Sequence, residues 1–352
     1  MESPNAASFS GTDQQLVQSV LAEYGAVTRR HLREYLPRAE PQSYLYEPLA
    51  DYPQRGGKML RSTLCIAMAR ATGAHVEDAV ASAASIEFMH NALLVHDDIE
   101  DASHERRGTP TLHALHGVPI ALNAGDAMAL LSLRPLKDNF HRLGLATAFR
   151  IFEETERMAW ESAEGQALEL GWRRDNRIDI TDEDYLVMVL KKTCWLGAIH
   201  PLRIGCLIGA RGRLALEPLV RLGFFFGAAF QIQDDLLNLE PGPAYGKEIN
   251  GDLLEGKRTL MIIFALNRSR ARDRKELVAF LQSPRAERSA ARVERIRTIL
   301  VRTGALEHAR NVARGLAGAA LYEFDKYFAD IGNSRDARFI RSLVTWVLER
   351  SH

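Results

Sequence analysis

Two clusters of acidic side chains, each following an apolar stretch, are the residues of this sequence best suited to chemistry. The first cluster holds four acids within little more than one helical turn: Asp97, Asp98, Glu100 and Asp101. The second holds two acids and an amide one turn later: Asp234, Asp235 and Asn238. Oxygen ligands of this kind suit Mg²⁺, which usually binds a few carboxylates, water and a substrate phosphate. The two clusters therefore predict a magnesium site for a phosphorylated substrate.

The first cluster lies at the carboxyl end of a predicted helix. At 3.6 residues per turn, Asp97 and Asp101 share one face and lie roughly 6 Å apart along the axis. Gly108 and Pro110 follow closely and predict that the helix ends just past the acids. The helix dipole disfavours negative charge at this end by about 0.3–1 kcal/mol for each carboxylate. The acids therefore indicate a bound cation.

A glycine pair followed by two cations indicates an anion site. Gly56 and Gly57 open a turn, and Lys58 and Arg61 lie three residues apart just after it. Glycines let backbone amides approach a ligand, and the cations add attraction for a negative charge. An ordinary basic helix start is an equally good alternative.

Three further residues are candidates because of their surroundings. Lys192 lies among apolar residues of types that are mostly buried, so a purely solvated role does not fit it. Lys247 and Lys257 lie in a long glycine-rich segment, which favours a lid over a phosphorylated ligand, with a charged connector as the alternative. His90 lies about two turns before Asp97 on the same face, where a lone histidine is more often a core residue.

Composition excludes several classes of protein. The 352 residues carry 45 Lys and Arg and 45 Asp and Glu, so no overall charge attracts nucleic acid or an anionic membrane. No apolar run is long enough and free enough of charge to span a membrane, and the first residues do not form a secretory signal. Cys65, Cys194 and Cys206 are widely spaced in apolar surroundings, which predicts buried thiols in a reducing cytoplasm.

Helical periodicity runs through most of the chain and predicts an all-α protein without a convincing strand. The predicted helices cover 12–36, 47–73 with a break at the glycine pair, 77–101, 118–142, 146–172, 182–210 and 214–239. Residues 1–11 are predicted to be a disordered leader, and residues 12–352 a single domain. The part from Met261 onward is interpreted as packing and interface.

Seven motifs together resemble the trans-isoprenyl diphosphate synthases, also called the polyprenyl synthetase family. They are GGKMLR, DDIED, RRGTP, NAGD, KKT, FQIQDD and GKEINGDLLEGKRT, and they span Gly56 to Thr259. The resemblance implies an all-α bundle of the isoprenoid synthase type around a deep central cavity, usually a homodimer. The implied reaction is the Mg²⁺-dependent head-to-tail condensation of isopentenyl diphosphate with an allylic diphosphate.

The resemblance assigns a role to each matching residue. Three Mg²⁺ ions are implied to be held by the two clusters: Asp97, Asp98, Asp101, Asp234, Asp235 and Asn238. Isopentenyl diphosphate is implied to be bound by four side chains: Lys58, Arg61, His90 and Arg107. The allylic diphosphate is implied to be bound by four others: Arg106, Lys192, Lys247 and Lys257. Thr193 and Gln231 are implied to lie beside the reacting carbons, and Gln166 and Glu169 to line the pocket.

The implied chemistry agrees with these residue types. Release of diphosphate from the allylic substrate needs metal and lysine to stabilise the developing charge, and an apolar cavity keeps water from the allylic cation. The residues implied to carry out this reaction are Asp97, Asp98, Asp101, Lys192, Thr193, Gln231 and Asp234.

One residue departs from the family pattern. Asn238 stands where the family usually has aspartate, which is expected to weaken the third metal site without abolishing turnover.

Product length is predicted from the helix before the first cluster, because a growing chain should run along it away from the metals. Ala92 is small and leaves the first part of the channel open. Phe88 and Met89, roughly 12–14 Å from Asp97, are expected to form the floor. A C20 product is predicted, with C15 and C25 as alternatives. Leu93, Leu122 and residues from a dimer partner can change this outcome.

Three other functions compete with this prediction. A terpene cyclase on the same fold would ionise one prenyl diphosphate and would not need the cationic site around Lys58. A non-catalytic subunit of a heteromeric prenyl synthase would not need its acids, arginines and lysines intact. A metal phosphohydrolase built on His96 and Asp97 would explain neither GGKMLR nor the second acidic cluster.

Overall fold

A computed structural model describes residues 11–240 and 248–349, and helices make up most of them. From residue 11 to residue 174, the described chain forms these α-helices: α1 (Gly11–Tyr35), α2 (Glu47–Gln54), α3 (Leu60–Ala71), α4 (Val76–Glu100), α5 (Leu112–His116), α6 (Val118–Leu131), α7 (Leu133–Leu143) and α8 (Leu145–Arg174). A short π-helical turn, Gln42–Tyr46, precedes α2. The predicted all-α fold is confirmed. Of the predicted leader, residues 1–10 lie outside the described residues.

The described residues after 174 form further α-helices: α9 (Asp182–Val189), α10 (His200–Ala210), α11 (Glu217–Leu239), α12 (Gly251–Glu255), α13 (Leu260–Arg268), α14 (Ala271–Gln282), α15 (Ala290–Thr303), α16 (Ala305–Phe328) and α17 (Arg335–Glu349). A 3₁₀ turn, Arg285–Glu287, joins α14 to α15. The helix predicted over 182–210 is not uniform, because a π-helical segment, Leu190–Ile199, separates α9 from α10. Periodicity alone does not distinguish this wider helix from an α-helix.

A small β-ribbon corrects the prediction that the chain has no strand. β1 (Glu105–Arg106) pairs antiparallel with β2 (Thr109–Pro110), so that Glu105 faces Pro110. The two residues between the strands, Arg107 and Gly108, both have positive φ, of 56° and 73°. Two consecutive positive φ values match the right-handed twist of a tight hairpin. The ribbon fixes Arg106 and Arg107 just beyond the end of α4.

The core forms where the longest apolar helices meet. α10 packs against α3, and α11 against both α16 and the π-helical segment, while α4 packs between α3 and α6. Leu64, Ile204 and Phe339 are among the side chains that this packing buries completely or almost completely. Among the described helices, none has the combination of length and apolar character that crossing a bilayer requires.

Candidate active site

A deep cavity of about 950 Å³ opens between α3, α4, α8, α9, the π-helical segment and α11. Its wall carries residues of both clusters: the acids Asp97, Asp101, Asp234 and Asp235 and the amide Asn238. Apolar side chains line other parts of it, including Leu93, Leu196 and Phe230. The ends of α4 and α11, which carry the two clusters, therefore face one common space, as a magnesium site formed by both clusters requires. A cavity of this size is typical of a site for small molecules.

Asp97 lies among cations at the end of α4. Its Oδ1 accepts hydrogen bonds from Lys192 Nζ at 3.2 Å and from Gln166 Nε2 at 3.3 Å. Arg106 Nη2 lies 3.8 Å from its Oδ2. Burial alone would raise the pKa of Asp97, but Lys192, Lys257 and Arg106 together lower it below its ordinary value. Asp97 is therefore ionised and available to a metal ion at neutral pH.

Asp101 joins the first cluster to the segment that follows the second. Its Oδ2 lies 2.8 Å from Lys257 Nζ, and its Oδ1 accepts a hydrogen bond from Arg173 Nη1. Lys257 Nζ also lies 2.8 Å from Glu255 Oε2. Burial would lower the pKa of Lys257, but Asp101 and Glu255 raise it well above its ordinary value. Lys257 is therefore charged and links Asp101 at the end of α4 to the segment that follows α11.

Asp98 has a different environment from its neighbours. Its carboxylate is completely buried and accepts hydrogen bonds from Tyr52 Oη and, at 3.0 Å, from Arg106 Nε. Tyr52 Oη in turn accepts a hydrogen bond from the backbone N–H of Leu112 at 3.4 Å. Asp98 thus lies behind the cavity wall and fixes the direction of Arg106, which does line the cavity.

The second cluster is held by a chain of hydrogen bonds. Tyr185 Oη donates to Asp235 Oδ2 at 2.8 Å, and Gln231 Nε2 donates to Asp235 Oδ1 at 2.7 Å. Gln231 Oε1 accepts from Thr193 Oγ1 at 2.9 Å. Burial raises the pKa of Asp235 to about 7, although both hydrogen bonds to its carboxylate lower it, and the adjacent charge of Asp234 raises it further. The Asp235 carboxylate therefore binds protons near neutral pH.

Asn238 is bound to the chain that returns to the cavity after residue 247. Its Oδ1 accepts a hydrogen bond from the backbone N–H of Asp252 at 3.1 Å, and its Nδ2 donates to the carbonyl of Glu248 at 3.3 Å. Its backbone carbonyl accepts a hydrogen bond from the backbone N–H of Asn250 at 3.0 Å. An aspartate could accept one of these bonds but could not donate to Glu248. The amide is therefore suited to holding this segment against α11.

The cationic residues predicted from GGKMLR and RRGTP gather on another part of the wall: Lys58, Arg61, His90 and Arg107. Arg61 Nη1 lies 3.2 Å from His90 Nε2, and Arg107 Nη1 donates to the carbonyl of Tyr52 at 3.0 Å. Burial and the neighbouring Arg61 and Arg107 lower the pKa of His90 well below its ordinary value. His90 is therefore neutral, and the positive charge of this group comes from its lysine and arginines.

Lys192 and Thr193 reach the cavity from the π-helical segment. Lys192 Nζ donates to Glu169 Oε1 at 2.8 Å as well as to Asp97. The segment lies against α8 at Gly165, where an added Cβ would stand 2.1 Å from the backbone nitrogen of Lys192. A glycine is therefore required at this contact. The close approach sets how far Lys192 and Thr193 extend into the cavity.

The four residues predicted to set product length lie in two different surroundings. Leu93 lines the cavity, but Phe88 and Ala92 are fully buried in a cluster with Met128 and Leu131 of α6. Five residues of α-helix turn Phe88 about 140° away from Leu93, so the two side chains cannot face the same space. Met89, four residues before Leu93, lies on the same face of α4 and packs partly buried against the neighbouring core.

Two other predicted residues are not part of the described cavity wall. Lys247 lies outside the described residues, and Leu122 is exposed on α6.

Several residues that sequence reasoning missed also line the cavity or hold its acids: Glu87, Arg173, Tyr185, Glu255 and Trp346. Arg173 lies one and two turns after Glu169 and Gln166, so helical spacing could have revealed it. Trp346 comes from α17, in the part interpreted as packing, and its ring lies 5.1 Å from Lys58 Nζ. No local pattern pointed to Tyr185 or Trp346, because tertiary packing brings them to the site.

The donor groups of the two clusters do not by themselves form a complete metal cage. Among residues 11–240 and 248–349, no three His, Cys, Asp or Glu side chains are already gathered around one point. Lysine and arginine instead occupy the carboxylates of the first cluster. Mg²⁺ is usually held by one or two carboxylates with water and substrate phosphate, rather than by a complete protein cage. The oxygen donors of both clusters therefore fit Mg²⁺ that arrives with a diphosphate.

Two prenyl synthases from other organisms are similar in sequence to this chain over nearly their whole length. The chain is 32% identical over 338 residues to a short chain isoprenyl diphosphate synthase of Methanothermobacter thermautotrophicus, covering 96% of this chain and 99% of that one. It is 30% identical over 342 residues to a geranylgeranyl pyrophosphate synthase of Geoglobus acetivorans, covering 96% and 100%.

A solved structure extends the similarity to the fold. The polyprenyl synthase of Caulobacter crescentus CB15, complexed with calcium and isoprenyl diphosphate, matches with a TM-score of 0.84 and 25% identity. The match covers 98% of this chain and 100% of that one. The sequence profile of the polyprenyl synthetase family matches residues 42–300. The chain therefore belongs to the polyprenyl synthetase family.

Proposed function

We propose that this prenyltransferase joins isopentenyl diphosphate to an allylic diphosphate head to tail, with Mg²⁺, and that its main product is geranylgeranyl diphosphate. The observation that carries this proposal is the single cavity shared by two acidic clusters and two groups of cations. Two diphosphates need two cationic binding sites, whereas metal is needed only where a carbon–oxygen bond breaks. The chain provides both in the arrangement that such a reaction requires.

The allylic half of the site is the end that holds the acids. Asp97 and Asp101 on α4 and Asp234 and Asp235 on α11 would hold Mg²⁺, three ions by family resemblance, and Asp98 would act by fixing Arg106. When bound, the metal stabilises the negative charge that develops on the departing diphosphate. Three cations contact carboxylates of the first cluster: Lys192, Lys257 and Arg106. They would bind the negatively charged oxygens of the diphosphate by the same attraction.

The reacting carbon would lie between Thr193 and the second cluster. Thr193 Oγ1 donates to Gln231 Oε1, and Gln231 Nε2 donates to Asp235, so the two hydrogen bonds fix the orientation of the amide. Leu93, Leu196 and Phe230 exclude water from the allylic cation, so the double bond of isopentenyl diphosphate is the nucleophile at hand. Lys58, Arg61 and Arg107 would bind the diphosphate of that second substrate. Its attack forms the new carbon–carbon bond, and loss of a proton restores a double bond.

The pH dependence of metal binding tests the role of Asp235. Because its pKa is raised to about 7, the metal-free protein binds a proton there at lower pH. A metal ion must displace that proton, so the affinity for Mg²⁺ is expected to fall about tenfold per pH unit below pH 7 and to level off above it. Titration calorimetry with MgCl₂ at pH 6 and pH 8 measures this. Equal affinities at the two pH values would contradict it, and Asp235→Asn should remove the dependence.

Product length is expected to depend on the face of α4 that carries Leu93. Leu93→Ala should lengthen the main product by at least one five-carbon unit, because it opens the wall toward Met89. Leu93→Phe should shorten the product by the same step. Phe88→Leu is the matched control, since Phe88 lies in the cluster against α6 and should leave the length unchanged. Mass spectrometry of the prenyl diphosphates gives the answer, and a length that follows Phe88 rather than Leu93 would contradict the expectation.

The proposal includes a homodimer, supported by an exposed apolar face. Large apolar side chains of α6 and α8 are unusually exposed on this face: Val118, Leu122, Leu130, Leu145, Phe149, Phe152 and Trp160. Contiguous patches of this kind mark protein–protein contacts. Sedimentation velocity is expected to give a dimer, and Phe149→Glu together with Leu145→Glu a monomer. A wild-type monomer at micromolar concentration would contradict this part of the proposal.

Three buried free thiols support the cytoplasm as the proposed location.

One assay separates the proposal from its competitors. The purified chain is incubated with Mg²⁺ and geranyl or farnesyl diphosphate, with and without ¹⁴C-labelled isopentenyl diphosphate. Label is expected in a longer prenyl diphosphate only when both substrates are present. Consumption of the allylic diphosphate without isopentenyl diphosphate would indicate a cyclase. Activity that appears only after a second protein is added would indicate a subunit of a heteromeric synthase.

A further inference from the structure

The first turn of α3 is stabilised by a side chain from another helix. Met59 precedes α3 with a left-handed backbone (φ 52°, ψ 37°) and provides no side-chain cap. The first N–H groups of a helix need acceptors from outside it. Glu87 of α4 supplies one, because its Oε1 accepts hydrogen bonds from the backbone N–H of Ser62 at 3.2 Å and from Ser62 Oγ at 2.9 Å. Glu87 therefore caps a helix that is not its own.

The position of Glu87 is unusual for a carboxylate. It is 4% exposed, and it lines the part of the cavity where Arg61 and Arg107 also lie. Burial lowers the pKa of both arginines, and the charge of Glu87 opposes this effect. A carboxylate near a diphosphate site repels the substrate, so direct binding of the substrate cannot explain why Glu87 lies here. Its hydrogen bonds to Ser62 provide a reason for its presence.

The turn that Glu87 holds is the one that carries the cations. Ser62 follows Arg61 directly, and Lys58 lies four residues before it. His90, one turn after Glu87 on α4, contacts Arg61 Nη1 through its Nε2 at 3.2 Å. Two side chains on one face of α4 thus hold the same turn of α3, one through its backbone and one through its arginine.

We propose that Glu87 is a positioning residue for the isopentenyl diphosphate half of the site, which it serves by capping α3 and so fixing the directions of Lys58 and Arg61. This inference rests on the proposed function, since it assigns these cations to the second substrate. The accepting oxygen of Glu87, and not its charge, is what holds the first turn of α3. Variants that separate the oxygen from the charge therefore test it.

Three substitutions at this position form the test. Glu87→Ala removes the acceptor and is expected to raise the KM for isopentenyl diphosphate about tenfold, while the KM for the allylic diphosphate stays within about twofold. Glu87→Asp keeps the charge but withdraws the oxygen by about one bond length, and should raise the same KM as strongly. Glu87→Gln keeps the oxygen without the charge and should bring that KM back to within about threefold of wild type. Thermal unfolding of each variant shows which of them fold.

Each outcome decides the matter. Rescue by glutamine but not by aspartate, with a KM change confined to isopentenyl diphosphate, supports the cap. Rescue by aspartate but not by glutamine would assign the role to the charge and overturn the proposal. Equal changes in both KM values, or no change in Glu87→Ala, would also overturn it. If Glu87→Ala does not fold, the comparison of Asp with Gln still decides. A wild-type chain that incorporates no isopentenyl diphosphate would instead refute the proposed function.

Discussion

Replacing Asp97 by alanine is expected to lower kcat by about 10³-fold or more, equivalent to roughly 4 kcal/mol of activation free energy. The carboxylate lies at the end of α4 with Lys192 and Gln166 on one oxygen and Arg106 near the other. Its loss removes a proposed metal ligand and leaves these donors without their acceptor. Steady-state assays with both substrates at saturating Mg²⁺ measure the change. Asp234→Ala, on the facing end of α11, is expected to lower kcat as much.

Glu100 provides the matched control for Asp97. It belongs to the same cluster, but the residue as a whole is more exposed, and partial burial of its carboxylate raises its pKa, whereas neighbouring cations lower the pKa of Asp97. Glu100→Ala should therefore change kcat by no more than about fivefold. Near-normal turnover in Asp97→Ala or Asp234→Ala would contradict the two-cluster account. Equal losses in Asp97→Ala and Glu100→Ala would show a general charge effect instead of metal binding.

Replacing Gly165 by alanine is expected to lower kcat by about 10²-fold, because a displacement of about 1 Å at reacting groups has effects of this size. The new Cβ would stand 2.1 Å from the Lys192 nitrogen and 2.6 Å from its Cα. No side-chain rotation can relieve a contact with backbone, so the π-helical segment must move away from α8. Lys192 and Thr193 would move with it, away from Asp97 and Gln231.

Gly171, on the same helix, separates this effect from a general intolerance of α8 to substitution. An added Cβ there meets nothing within 4 Å. Gly171→Ala is therefore expected to keep wild-type kcat and to raise the unfolding free energy by about 0.5–1 kcal/mol, since glycine disfavours a helix interior. Circular dichroism and thermal unfolding establish that Gly165→Ala is folded. Wild-type kcat in folded Gly165→Ala would contradict the role given to this contact.

The sequence predicted well those features that depend on local patterns. Gly56 and Gly57 predicted the break between α2 and α3, and Gly108 and Pro110 predicted the end of α4, because glycine and proline restrict or free the backbone at their own positions. The two acidic clusters stood out because carboxylates at a helix C-terminus oppose the dipole. These signals sufficed to place Asp97, Asp101, Asp234 and Asp235 around one cavity.

Features that depend on packing could not be predicted in the same way. The π-helical segment follows from the close approach at Gly165, which has no signature in the residues 190–199 themselves. Asp98 has the same residue type as Asp97, and only its helix phase turns it toward Tyr52. Helix phase also separates Phe88 from Leu93, because distance along the helix axis does not give the direction of a side chain. Glu87 and Trp346 reach the site through contacts with distant parts of the chain.

Anomalous diffraction from crystals grown with Mn²⁺ and an unreactive thio analogue of the allylic diphosphate tests the central claim most directly. The account predicts manganese ions bound on one side by Asp97 and Asp101 and on the other by Asp234 or Asp235, with the diphosphate between them. Manganese bound by neither cluster, or a diphosphate that contacts only one of the two helix ends, would contradict it.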